Sequence, residues 1–120
     1  MIKRAGQQQV RVRENLRGGE GALTFHDFLT TEDSFGAGHL FSRTVIPTGA
    51  SIGEHIHEGE FEVYYVLAGA VEAFDSGEWI SLGRGDMHLC ESGQAHALRN
   101  TGAEQAEVLM LILYENKDHM

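Results

Sequence analysis

The sequence predicts an all-β domain, an antiparallel sandwich or barrel of short strands, and three observations predict it. Fifteen glycines stand against a single proline, Pro47, which points to many tight turns between short elements. Helical periodicity is hard to find anywhere along the 120 residues. Short apolar or alternating runs bounded by turn residues recur instead, their centres mostly about 8–17 residues apart.

In chain order the runs cover 10–13, 22–29, 39–46, 61–68, 71–74, 78–82, 87–90, 95–99 and 108–114. Asp75, Ser76 and Gly77 supply a hairpin turn between 71–74 and 78–82. Gly83, Arg84, Gly85 and Asp86 do the same before 87–90. Two runs read as buried on both faces. In 61–68 one parity carries Glu62, Tyr64, Val66 and Ala68, and the other carries Phe61, Val63, Tyr65 and Leu67. Residues 108–113 are apolar without interruption. One face fills the interior, so the other needs a cover, either the N-terminal strand or a partner subunit. A homodimer is the expected partner, because a large apolar face is rarely left in water. No repeat, linker or low-complexity segment interrupts 1–120, and one domain is expected.

Charge and cysteine usage narrow the function. A formal net charge of −9 argues against nucleic acid and against anionic membrane surfaces. The single cysteine, Cys90, excludes an internal disulfide. The chain opens on Met1, Ile2, Lys3 and Arg4 and turns polar through Gln7, Gln8 and Gln9, so no signal peptide is expected. No apolar run approaches the ~18–20 residues of a membrane span. The expected location is the cytoplasm.

Chemistry concentrates in two stretches. His55 and His57, at i and i+2, project to one side of an extended strand. Glu62 would point the other way on an unbroken strand. Glu58, Gly59 and Glu60 form a polar break that can reset its register. His96 follows the Gly93 turn far along the chain, and a closed barrel can bring it across. Three imidazoles and one carboxylate suit a redox-active or Lewis-acidic divalent metal. His26, His39 and His119 have no partner at ligand spacing and receive no role. His88 can line the same cavity but reads first as a core histidine. Tyr64 shares the parity of Glu62 and can face the cavity. Arg43 and Arg99 read as solvated exterior residues, and Cys90 as a buried, inert thiol.

The spacing resembles a known family. Gly49, five residues, His55-Ile56-His57, four residues, Glu62, six residues, Gly69 is similar to the first motif of the cupin superfamily, over 49–69. Gly85, five residues, Glu91-Ser92-Gly93, two residues, His96, three residues, Asn100 is similar to the second, over 85–100. Glu91 stands where the family usually has proline, which frees a backbone N–H and loosens a turn. The short stretch between the motifs resembles that of small single-domain microbial cupins described as oxalate decarboxylase-like.

The resemblance implies a jelly-roll β-barrel (a double-stranded β-helix) of six or more strands. His55, His57, Glu62 and His96 would hold one divalent ion inside it: manganese, iron, nickel, cobalt or zinc. Four protein ligands leave about two positions open in an octahedral site. The implied function is a metalloenzyme acting on a small carboxylate-bearing molecule, as a dioxygenase or as a lyase or decarboxylase. The alternative is a non-catalytic module that binds metal and a small ligand as sensor or carrier. Two-domain oxalate decarboxylases carry arginine three residues before the first histidine ligand, where this chain has Ile52. Their mobile loop glutamate has no recognisable counterpart here, and no general base or charge partner for an anion stands out.

Overall fold

A computed structural model describes residues 1–116, so His119 lies outside the described residues. Ten strands form: β1 (Gln9–Glu14), β2 (Ala22–Asp27), β3 (Gly38–Ile46), β4 (Ser51–Ile56), β5 (Glu60–Ala68), β6 (Ala70–Asp75), β7 (Glu78–Gly83), β8 (Met87–Cys90), β9 (Ala95–Arg99) and β10 (Ala106–Tyr114). Two single-turn 3-10 helices, Ala5–Gln7 and Leu16–Gly18, are the helical elements among the described residues. No helix among these residues is long and apolar enough to cross a membrane.

All pairings are antiparallel and fall into two sheets. The larger has the order β1-β2-β3-β10-β5-β8 and the smaller β4-β9-β6-β7. This is the all-β jelly roll the sequence predicts. Nine of its ten strands overlap the expected runs. The tenth, β4, is missing from them because Gly53 and Glu54 break its alternation. Asp75 pairs with Glu78, and Ser76 and Gly77 both take positive φ between them, as a two-residue hairpin turn requires.

The core lies between the sheets. Leu23, Phe25, Ile46, Tyr64, Val66, Leu98, Val108 and Met110 are buried there. Within the single chain the inward residues of β5 and β10 are largely buried and the outward ones half-buried to exposed. Outward residues of β5, β8 and β10 stay partly or well exposed, including Tyr65, Met87 and Leu89. The N-terminal strand does not cover them. It extends the edge of the larger sheet beside β2.

β1 is inside out. Arg11 pairs with Phe25 and Arg13 with Leu23, so both arginines share the face that β2 turns to the core. Val10 and Val12 take the outer face and are more than half exposed. The chain then turns through Leu16–Gly18, which packs on β4. The approach is backbone to backbone. A β-carbon on Gly53 would collide with the Arg17 carbonyl, and one on Gly19 with the Ser51 carbonyl.

The ends of the two motifs are tied to each other. The Gly49 N–H donates to the Asn100 carbonyl (2.8 Å), and the Asn100 N–H donates to the Ala50 carbonyl (3.0 Å). The buried Asn100 amide donates to the carbonyls of Ile46 (2.9 Å) and Glu104 (2.8 Å) and accepts from Gly102 N–H (3.0 Å). Every polar atom of that side chain is thus used. Glu91 does not loosen its turn as expected, because the N–H it exposes donates to the Gln94 side chain (3.0 Å).

Gly53→Ala is expected to lower stability by about 1–3 kcal/mol through overpacking against the Arg17 carbonyl. Chemical denaturation would show it as a lower midpoint at unchanged slope.

Candidate metal centre

Sheet register brings the predicted ligands together. His55 on β4 lies directly opposite His96 on β9. His57 follows β4 at the entrance to the turn, and its carbonyl accepts the Gly93 N–H (2.7 Å). The turn closes at Gly59, with φ of 73°, and carries the chain from the smaller sheet to the larger. Glu62 on β5 therefore faces the histidines from the opposite wall, so the break does more than reset parity.

The four side chains form one cluster that can hold a metal ion. His55 Nε2 lies 3.1 Å from His57 Nε2 and 3.0 Å from His96 Nε2, and the last two are 3.1 Å apart. Glu62 Oε1 lies 3.0 Å from His57 Nε2 and 3.1 Å from His96 Nε2. The sixth pair, His55 and Glu62, stands farther apart but within 4.8 Å. Donors ~2.1 Å from a common ion are about 3.0 Å apart at right angles, about 4.2 Å when opposite, and about 3.4 Å in a tetrahedron. Five short pairs and one long pair match four corners of an octahedron with two neighbouring corners free. Three ring nitrogens converging on one point also repel each other unless a proton or cation lies between them. The donor set fits a divalent ion.

Neighbouring groups fix the ring orientations. His55 Nδ1 donates to the Gly53 carbonyl (2.7 Å), leaving Nε2 as the free lone pair. His57 Nδ1 contacts Glu60 Oε2 (3.2 Å), and the same oxygen meets His39 Nε2 (2.8 Å). Glu60 and His39 thus stand behind a candidate ligand, a placement the sequence did not disclose. His96 Nδ1 has no hydrogen-bond partner among the described residues, and its ring stacks on Tyr64 at 5.0 Å and 10°.

Electrostatics follow the same geometry. Burial holds the His55 pKa below its ordinary value. The hydrogen bond to Glu62 outweighs burial at His57 and raises it. Burial pushes Glu62 up, but hydrogen bonds to His57 and His96 bring it below the usual carboxylate value. Burial raises the Tyr64 phenol well above its ordinary value, with Glu62 adding and Arg17 opposing. Tyr64 is therefore a protonated hydroxyl. Burial also pushes the Cys90 thiol up to about 11, so it is no thiolate ligand.

A cavity of about 180 Å³ opens onto His55, His57 and Glu62. Leu16, Phe25, Leu40, Ile52, Met110 and Ile112 supply its apolar wall, and Tyr64 lines it as expected. His39, Arg11, Arg13 and Arg17 also line it. His88 does not; it packs behind His96 and Tyr64, 3.5 Å from Asp75. The cavity arginines went unrecognised because an arginine on a strand is normally read as solvent-facing. Their signal was the inverted alternation of 10–13. Arg43 pairs with Glu107, and Arg99 pairs with Glu72 and lies over Trp79, as exterior residues do.

Fold and ligand cluster together define a class, the metal-site jelly roll, and comparison with known proteins agrees. The cupin domain family matches residues 42–112, and this chain belongs to it. It is 38% identical over 99 residues to a protein of Thermotoga maritima named oxalate-binding protein, covering 82% of each chain. A T. maritima crystal structure described as a predicted oxalate decarboxylase superposes with a TM-score of 0.91 at 35% identity, covering 96% of this chain and all of that one. KdgF from a Halomonas species shares the fold, with a TM-score of 0.68 at 19% identity over 92% of this chain and 91% of that one.

Metal analysis after His57→Ala should show loss of stoichiometric binding, whereas Glu60→Gln should weaken affinity by about 10–100-fold. The hydrogen bond to Glu62 raises the His57 pKa, so a metal ion would compete with a proton there. Affinity is expected to fall as pH drops through the His57 pKa. Calorimetry in two buffers of different ionisation enthalpy should register proton release near neutral pH.

Proposed function

We propose that this protein binds one divalent metal ion through His55, His57, Glu62 and His96, and that the ion holds a small dicarboxylate of the oxalate class. The observation that carries this reading is the spacing of the donor atoms, with five pairs at 3.0–3.1 Å. That spacing favours manganese, iron, cobalt or nickel over tetrahedral zinc. A bound ion supplies a Lewis-acidic anchor for carboxylate oxygens at two neighbouring positions.

The chain's own residues set what else the site accepts. Sites for drug-sized ligands run from ~300 to 1,000 Å³, so a cavity of about 180 Å³ suits a molecule of only a few heavy atoms. Its apolar wall limits water, and the Tyr64 hydroxyl offers a hydrogen-bond donor beside Glu62. The name of the T. maritima relative supports the same ligand class. Among the described residues, the ionisable groups lining the cavity besides the ligands are three arginines, His39 and Tyr64, and His39 is tied to Glu60. Among the described residues, no carboxylate other than Glu62 lines it for proton transfer. Binding without turnover is therefore the first reading. A metal-dependent lyase or oxidoreductase on the same ligand is the second, favoured by the protonated Tyr64 at the wall.

The same proposal covers the setting. The chain acts as one domain, as a homodimer joined through the apolar outer face of β5, β8 and β10, in a cytoplasm that keeps Cys90 a thiol.

Titration of manganese-loaded protein with oxalate should give one saturable binding event per chain. Metal-stripped protein and His96→Ala should give none. Oxalate binding that survives metal removal unchanged would sink the proposal, and carbon dioxide release from bound oxalate would favour the enzyme reading.

A further inference from the structure

The cavity mouth carries cations that the metal centre does not use. Of its three arginines, Arg11 is already engaged. Its guanidinium holds Asp27 through two contacts of 2.5 and 2.9 Å and lies over Phe25 at 4.9 Å. Arg13 and Arg17 make no side-chain hydrogen bond or ion pair among the described residues. Arg4 and Arg84 also lack ion pairs, but Arg13 and Arg17 are the two that line one cavity, exposed at its mouth, in a chain with 18 acidic residues and a net charge of −9.

The backbone is built to keep Arg17 there. Arg17 has φ of 55° and ψ of 30°, a left-handed conformation that side chains other than glycine, asparagine and aspartate rarely adopt. Strain of this kind persists only where the surroundings enforce it. They do so here by contact, because the Arg17 carbonyl is seated on Gly53, between Ile52 and His55 of the cavity wall. Glycine at 17 would relieve the strain, yet the position carries the longest cationic side chain. The neighbouring strand makes the same exception, placing Arg13 on the core-facing side of the sheet, exposed at the cavity mouth, and leaving Val10 and Val12 exposed on the other side.

Charge bookkeeping names the ligand class. A divalent ion with one carboxylate and three neutral imidazoles has a single net positive charge, and Arg13 and Arg17 add two more. A monoanion leaves most of that excess unbalanced, whereas a dianion removes most of it. Arginine presents a planar fork that matches a carboxylate edge.

We propose that Arg17, supported by Arg13, is the specificity-determining anion anchor of this cavity, taking the carboxylate oxygens that face away from the metal and selecting dianions over monoanions. This rests on the metal–dicarboxylate reading above.

The experiment titrates manganese-loaded full-length protein with oxalate and with formate, in the wild type, Arg17→Asn and Arg17→Gly. Both replacements tolerate the left-handed backbone. The expected result is a loss of about 10–100-fold in oxalate affinity, with formate affinity changed less than about 3-fold. Manganese stoichiometry should stay at the wild-type value, and the ligand-free variants should melt no lower than wild type, because the strain is gone. Arg99→Asn, outside the cavity, should bind oxalate normally. Wild-type oxalate affinity in both Arg17 variants would overturn the anchor while leaving the metal reading intact. Equal loss for oxalate and formate would overturn the selectivity. A metal-loaded wild type that binds neither would overturn both readings.

Discussion

Three imidazoles and a carboxylate aimed at one point are the constraint on which the rest of this structure depends. The donors come from both sheets, with His55 and His96 paired across the smaller one and Glu62 reaching in from the larger. The cluster therefore exists only when the sandwich is closed. Glu62 is 4% exposed, and an ionised carboxylate at that depth is costly unless it is fully partnered. His57 and His96 meet that cost, Tyr64 packs flat on His96, and Asn100 clamps the motif ends. Folding the core and assembling the site are the same event.

Around this centre the charges are sorted by distance. On the outside Arg43 and Arg99 have acidic partners, while Arg4 and Arg84 point to solvent without one among the described residues. The arginines at the cavity mouth include two that have none. The field of the bulk acidity is screened beyond about 10 Å at ordinary ionic strength. Inside the cavity the nearby cations dominate, so an acidic protein can hold an anionic ligand without contradiction.

The sequence made the ligands legible because they obey local rules. His55 and His57 share a strand parity, and the polar break at Glu58, Gly59 and Glu60 announces a turn. What it could not show was that this turn also changes sheets, since pairing partners are a property of the whole topology. β4 was hard to see for a related reason. Gly53 weakens its pattern, and that glycine is needed for the approach of the 3-10 turn rather than for the strand. The arginines of β1 were passed over because alternation identifies two faces but not which one is inside. The burial rule assigns valine inward, and here it fails. Glu60 and His39 were invisible because a contact between residues 21 apart on different strands leaves no spacing signal.

The broken rules gather in one place, and they divide by what would repair them. The facing Nε2 atoms would be relieved by a cation. Unpaired Arg13 and Arg17, and the strained backbone that holds one of them, would be relieved by an anion. A chain selected for stability alone would remove each fault cheaply, with glycine at 17 or valines turned inward on β1. Keeping both kinds ties two occupants together. On the proposed reading, the cation would supply the charge that draws the anion in, and the anion would offset the repulsion between that cation and the arginines. Each occupant must then strengthen the binding of the other by the same factor, because the coupling free energy is shared. On that reading the cavity is one site with two halves, and neither would be satisfied until both were filled.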